Sequence, residues 1–80
     1  MYNEILEIAN FCKNNNISCE LSELWGGYKL LFEDGADIVQ HSGSYGSAAG
    51  CVEPAGFSDD IDYSPIEKDE MIKIIVARYK

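Results

Sequence analysis

The chain has 80 residues, 46% hydrophobic and 25% charged, a composition typical of a folded domain and not of a disordered segment. Its formal net charge of −8 disfavours direct binding to nucleic acid or to an anionic membrane, since both need clustered lysine and arginine. No apolar run reaches the roughly 18–20 residues of a membrane span. We expect one α+β domain over residues 1–80.

The charge is distributed unevenly along the chain. Residues 1–67 hold twelve acidic and two basic residues, whereas residues 68–80 hold two acidic and four basic ones. An acidic body attracts a basic partner surface, although acidity also serves solubility alone. Three cysteines without a CxxC pair, and an N-terminus unlike a signal peptide, predict a cytoplasmic protein.

The first predicted element is a helix over residues 2–15. Its apolar residues recur with the spacing of one helix face: Ile5, Ile8, Ala9 and Cys12. Asn3 is the predicted N-cap. The asparagines at 14–16 predict the end of the helix, because asparagine tolerates the left-handed conformation found there.

An antiparallel meander of three or four strands is predicted next. From Ile17 the apolar residues alternate with polar ones, which indicates a half-buried strand. Further strands are predicted at 28–32, 37–40 and 51–53, with turns at 23–27 and 33–36. Pro54 is expected to end the fourth strand, because proline cannot donate to the ladder.

A second helix is predicted to begin at Ser64 and to run to about Arg78. Ser64 is the expected N-cap, Pro65 occupies the first helical position, and Glu67 completes a capping box. The predicted order is therefore α-β-β-β-(β)-α, a three- to four-stranded antiparallel sheet flanked by N- and C-terminal helices.

The stretch HSGSYGSAAGC at residues 41–51 contains neither GxxxxGK[ST] nor GxGxxG, so it does not predict a phosphate loop. Cys51 and His41 flank it, and a hairpin would bring them together as a thiol–imidazole pair. A Cys/His-dependent enzyme is therefore one alternative. The aspartates at 59–62 do not fit a calcium loop, because Pro65 stands where glycine is needed. We expect no catalysis, no cofactor and no metal.

Aromatic side chains among carboxylates are typical of a protein-recognition surface. Trp25 and Tyr45 are predicted at loop tips, although Trp25 also suits a core or loop anchor. The predicted partner is a basic protein surface. The residues predicted to bind it are three aromatics and seven acids: Trp25, Tyr45, Tyr63, Glu33, Asp34, Asp37, Glu53, Asp59, Asp60 and Asp62.

The short chain, its acidic body and the acidic turns FEDGAD (residues 32–37) and FSDDIDYS (residues 57–64) resemble the small counter-defence proteins of phages and mobile elements. Anti-CRISPR proteins are the best-known class of these. The resemblance is one of type and spans the whole chain. It implies an inhibitor that acts in the cytoplasm of a bacterial host and occupies the basic nucleic-acid channel of a CRISPR effector nuclease. The alternative is a toxin-neutralising or housekeeping protein-interaction module.

Overall fold

A computed structural model describes residues 2–43 and 49–80. The elements follow the chain as α1 (Asn3–Asn14), β1 (Cys19–Leu24), β2 (Gly27–Phe32), β3 (Asp37–Gln40), β4 (Cys51–Ala55), β5 (Ile66–Glu67) and α2 (Lys68–Tyr79). The strands form one sheet in the order β1-β2-β3-β4-β5, and every neighbouring pair is antiparallel. The predicted α+β fold with flanking helices is confirmed.

Both helices pack on the same face of the sheet. Leu30 of β2 lies opposite Ile38 of β3, and directly opposed residues share a face. The core of buried apolar residues combines that face with both helices: Ile5, Ile8, Cys12, Ile17, Leu30, Phe32, Ile38, Val52, Met71 and Ile75. The described helices therefore leave the opposite face uncovered.

The start of α1 is capped by a side chain from the sheet and not by the residue that precedes the helix. The helix begins at Asn3, and its first turn has no side-chain cap from the flanking residue, so the predicted N-cap at Asn3 is wrong. Instead the fully buried Gln40 side chain accepts a hydrogen bond from the Ile5 N–H at 3.0 Å and donates one to Glu4 Oε1 at 2.9 Å. The bond from Gln40 is the main cause that lowers the pKa of Glu4.

The start of α2 also differs from the prediction. Ile66 and Glu67 pair with Val52 and Cys51 as strand β5, and α2 begins at Lys68. The capping box of Ser64, Pro65 and Glu67 is therefore wrong. Pairing with β4 satisfies backbone groups and packs Ile66 against the core, which a local capping box cannot do.

The fourth strand does not end at Pro54. β4 continues to Ala55, and Pro54 lies buried opposite Ile38. Its carbonyl oxygen accepts a hydrogen bond from the Tyr63 N–H at 2.8 Å. The loop after β4 therefore satisfies the edge of that strand where β5 does not reach.

Replacing Gln40 with leucine tests whether its hydrogen bonds hold α1 against the sheet. The buried Ile5 N–H would lose its acceptor, so we expect a loss of about 1–3 kcal/mol in the free energy of unfolding, measured by urea titration. Glu4→Gln serves as the comparison, because it keeps the Ile5 bond and should cost less. A Gln40→Leu variant as stable as the native protein would contradict this role.

Candidate protein-binding face

The uncovered side of the sheet is the candidate site, and we call it the open face. Side chains alternate along each strand, so every second residue lies there. Its members are Glu20, Ser22, Leu24, Gly27, Lys29, Leu31, Asp37, Val39, Cys51, Glu53, Ala55 and Glu67, as the strand register places them.

The register arranges the open face in rows that cross the sheet. One row runs through Glu20, Leu31, Asp37 and Ala55, and the next through Ser22, Lys29, Val39 and Glu53. Leu31, which is 37% exposed, thus has a carboxylate on each neighbouring strand. The rows place partly exposed apolar groups directly beside acids, a mixture suited to protein contact.

The open face is acidic. It holds four carboxylates, from Glu20, Asp37, Glu53 and Glu67, and one ammonium, from Lys29. Burial raises the pKa of Asp37, Lys29 opposes this, and the nearby Asp62 adds to it. Asp37 is therefore a half-buried carboxylate whose charge is only partly compensated, and a cation brought against it would lower its pKa.

An aromatic pair, formed by the exposed Trp25 and the buried His41, stands at one end of the open face. A Cβ at Gly27 would collide with the Gln40 carbonyl oxygen and lie 2.6 Å from His41 Cα. His41 therefore folds over the open-face side of Gly27. The Trp25 ring meets the His41 ring edge-on, with centroids 5.1 Å apart. Only glycine fits at position 27 beneath this pair.

Trp25 is held at the tip of the β1–β2 turn in a conformation that tryptophan rarely adopts. Its φ is +48° and that of Gly26 is +79°, as a two-residue hairpin turn requires. Asparagine or glycine would adopt this φ more readily than a bulky residue. The turn nevertheless carries an indole that is 73% exposed.

Two of the predicted binding acids hold the fold together. The Asp62 carboxylate accepts hydrogen bonds from the N–H groups of Gly56, Phe57 and Ser58. Asp34 accepts from the Ala36 N–H and the Tyr79 hydroxyl. Its carboxylate also forms an ion pair with Arg78 at 2.9 Å.

Arg78 joins these two acidic turns to the end of α2. Its guanidinium donates to the carbonyl oxygens of Gly56 and Phe57 as well as to Asp34. The Tyr79 ring stacks on Phe32 with centroids 4.7 Å apart. Burial and then the bond to Asp34 raise the pKa of Tyr79 to about 12. The two carboxylates are therefore structural groups and are less available to a partner.

The pKa values of both acids reflect these contacts. The Ala36 N–H, Tyr79 and Arg78 lower the pKa of Asp34, although desolvation opposes them. Desolvation also acts to raise the pKa of Asp62, but three backbone N–H donors and Arg78 outweigh it, so this pKa is lowered too. Both carboxylates favour the folded state when they are ionised.

The other predicted residues are distributed over the turns. Glu33, Asp59 and Asp60 are exposed there. Tyr63 is 73% exposed with φ +64°, whereas Tyr45 lies outside the described residues. Asp37 and Glu53 are the two predicted acids that the sheet brings together on the open face. Sequence reasoning missed three charged residues of this face: Glu20, Lys29 and Glu67.

The side chains of His41, Cys12 and Cys51 are partly or fully buried in the fold. His41 is 6% exposed, and its Nδ1 accepts a hydrogen bond from the Gly43 N–H at 3.0 Å. Cys51 is half-buried on the open face. Desolvation, with a smaller effect of Cys19, raises the pKa of Cys12 to about 12, which disfavours a reactive thiolate there.

Within residues 2–43 and 49–80, no three His, Cys, Asp or Glu side chains come together to hold a metal ion. No helix there is long and apolar enough to cross a membrane. Comparison with known proteins finds no family model, no curated protein and no solved structure that matches this chain.

Replacing Asp34 with asparagine should flatten the dependence of stability on pH. An ordinary aspartate has a pKa of about 3.9, and the folded-state pKa of Asp34 is lower. Its contribution is therefore present above about pH 4 and is lost as the pH falls through the folded-state pKa. Urea midpoints between pH 7 and pH 2 should show a less stable variant at pH 7 that loses less stability on acidification.

Asp60→Asn is the matched control, because Asp60 is an exposed carboxylate of the turn after β4. Its profile should follow that of the native protein. An Asp34→Asn profile that also coincides with the native one would show that the ion pair between Asp34 and Arg78 does not stabilise the protein.

Proposed function

We propose that this chain is a protein-binding module that docks its open face on a basic surface of another protein. The observation that carries the proposal is the composition of that face, where four carboxylates and one lysine surround partly exposed apolar side chains. Opposite charge accelerates encounter and selects the partner, and the apolar groups supply contact area.

Charge and contact have separate roles in this proposal. Exposed ion pairs contribute only about 0–1 kcal/mol each, so the acids mainly steer the partner and fix its orientation. Leu31 and Trp25 supply the apolar and aromatic area that dominates affinity at interfaces. Among the acids of the open face, Asp37 should be stabilised most by a cationic partner, because the charge of its half-buried carboxylate is only partly compensated.

The more specific form of the proposal is an inhibitor of the anti-CRISPR type, as the resemblance implies. A channel that holds a guide–target duplex is positively charged, and an acidic face competes with the phosphates for it. The net charge of −8 supports this form. A basic toxin or a basic housekeeping protein would offer the same kind of surface, so the class of partner has to be decided by experiment.

Reversing two charges on the open face should abolish most of the binding. Glu20→Lys with Glu53→Lys is expected to lower affinity at least tenfold at low salt, because favourable steering becomes repulsion. Asp69→Lys with Glu70→Lys is the matched control. It changes the net charge equally, but on exposed positions of α2. Affinity capture from a bacterial lysate, followed by calorimetry with the identified partner at two salt concentrations, measures the difference.

The same three proteins test the inhibitor. For guide-loaded effector nucleases, native protein and the α2 control should block DNA cleavage, whereas the open-face double variant should not. Equal loss in both double variants would mean that only net charge matters, which contradicts a defined face. A Cys51→Ser variant should keep binding and inhibiting. A folded variant that still binds the partner but no longer acts on it would favour the Cys/His-dependent enzyme.

Trp25→Asn should separate binding from stability. Asparagine tolerates positive φ, so the melting temperature should stay the same or rise, while partner affinity falls about tenfold through loss of the indole. Tyr63→Asn is a close control, because Tyr63 has the same exposure and a similar φ. A larger loss of affinity with Tyr63→Asn would place the contact in the loop after β4 instead.

A further inference from the structure

A groove of about 500 Å³ lies between α1 and strand β1, on the helix-covered side of the sheet. Leu6 and Ala9 form one wall, Cys19 and Leu21 form the other, and Leu30 lies between them. Leu21 is 41% exposed, although its strand position places it with the core residues. The groove is therefore an apolar cleft open to solvent beside the sheet.

The strand that forms one wall of this groove also has a free edge. β1 is the first strand of the sheet order and pairs only with β2 among the described strands. The two-residue turn makes Leu24 and Gly27 a hydrogen-bonded pair, and such pairs alternate along a hairpin. The backbone groups of Cys19, Leu21 and Glu23 therefore point away from β2.

We propose that an extended segment of the basic partner adds to β1 as a sixth strand and fills this groove. The proposal rests on the proposed function for the charge of the partner. Pairing with this edge satisfies the free backbone groups of β1. Because side chains alternate along a strand, the pairing also determines the sequence pattern of the bound segment. Residues opposite Leu21 and Cys19 enter the groove and are apolar, whereas their neighbours in sequence face the open side and are basic.

The charges around β1 support a basic segment. Glu20 projects from this strand on the open face, and Glu23 projects on the groove side. Both are exposed. The cation at the groove is Lys13, which lies on the α1 wall. A segment that alternates basic and apolar residues thus places its cations beside Glu20 on the open side, away from Lys13, and its apolar side chains in the groove.

A six-residue peptide of alternating lysine and valine is the probe. We expect it to shift the amide resonances of β1 and to slow hydrogen exchange at Cys19, Leu21 and Glu23. A peptide of the same composition with three valines followed by three lysines should bind much more weakly. The peptide presents either its valine N–H groups or its lysine N–H groups to β1. Methylation of the set that faces β1 should lower affinity about tenfold or more, because two or three backbone hydrogen bonds are lost.

Leu21→Lys should also lower affinity for the alternating peptide about tenfold. Val76→Lys is the matched control on α2, because Val76 is similarly exposed at 37%, and it should bind normally. Thermal unfolding checks that both variants fold, and the methylated peptides test the edge without changing the protein.

Several outcomes would overturn the added strand. They are equal binding of the block peptide, no effect of methylation, or shifts confined to the open face. A dimer in sedimentation that Leu21→Lys disrupts would instead assign the edge to a second copy of this chain. None of these results touches the open-face charge reversals, so the proposed function stands or falls separately.

Discussion

One buried amide side chain determines how the two layers of this protein meet. Gln40 lies inside the core and bonds both the Ile5 N–H and the Glu4 carboxylate. Because a buried amide must be fully paired, only one position of α1 against β3 satisfies the hydrogen bonds of Gln40. The first helix is thereby fixed on the core face of the sheet, and Gly27 must be glycine because of the neighbouring Gln40 backbone.

The second helix packs on the same face through the buried Met71 and Ile75 and makes polar contacts at its two ends. Lys68 forms an ion pair with Glu7 of α1 at 2.8 Å. At the other end, Arg78 and Tyr79 hold the turns that contain Asp34 and Asp62. With both helices on one side, the other side of the sheet keeps its own side chains available. The open face is therefore a consequence of how the helices are fixed.

The acids that hold the fold and the acids of the open face consequently have different roles. Glu4, Glu7, Asp34 and Asp62 take part in bonds that hold helices or turns. The carboxylates of the open face project from the strands on the side away from the helices. A high net charge is by itself compatible with solubility alone, but a carboxylate cluster around apolar groups on one defined face is a more specific feature. This division is what supports binding by the open face over binding by acidity in general.

Local sequence patterns were sufficient for much of the fold. Helical spacing predicted α1 and alternation predicted β1, because these patterns reflect burial on one side, and the turns at 23–27 and 33–36 delimited β2 and β3. The cap from Gln40 and the strand β5 could not be predicted this way, since each depends on a partner more than ten residues away. Asp34 looked like an exposed binding acid because its partner Arg78 is distant in sequence. Asp62 looked like one because its bonds to the Gly56, Phe57 and Ser58 N–H groups form only when the loop after β4 folds. Glu20 could have been found, because the alternation that turns Cys19 toward the core also turns Glu20 outward.

Carboxylate footprinting tests the open face most directly. The free protein and its complex with the captured partner would be labelled with a carbodiimide and an amine, and the modified residues would be identified by mass spectrometry. The account predicts that Glu20, Glu53 and Glu67 lose labelling in the complex, whereas Asp69 and Glu70 on α2 keep it. Protection of the α2 carboxylates with unchanged labelling of the open face would contradict it.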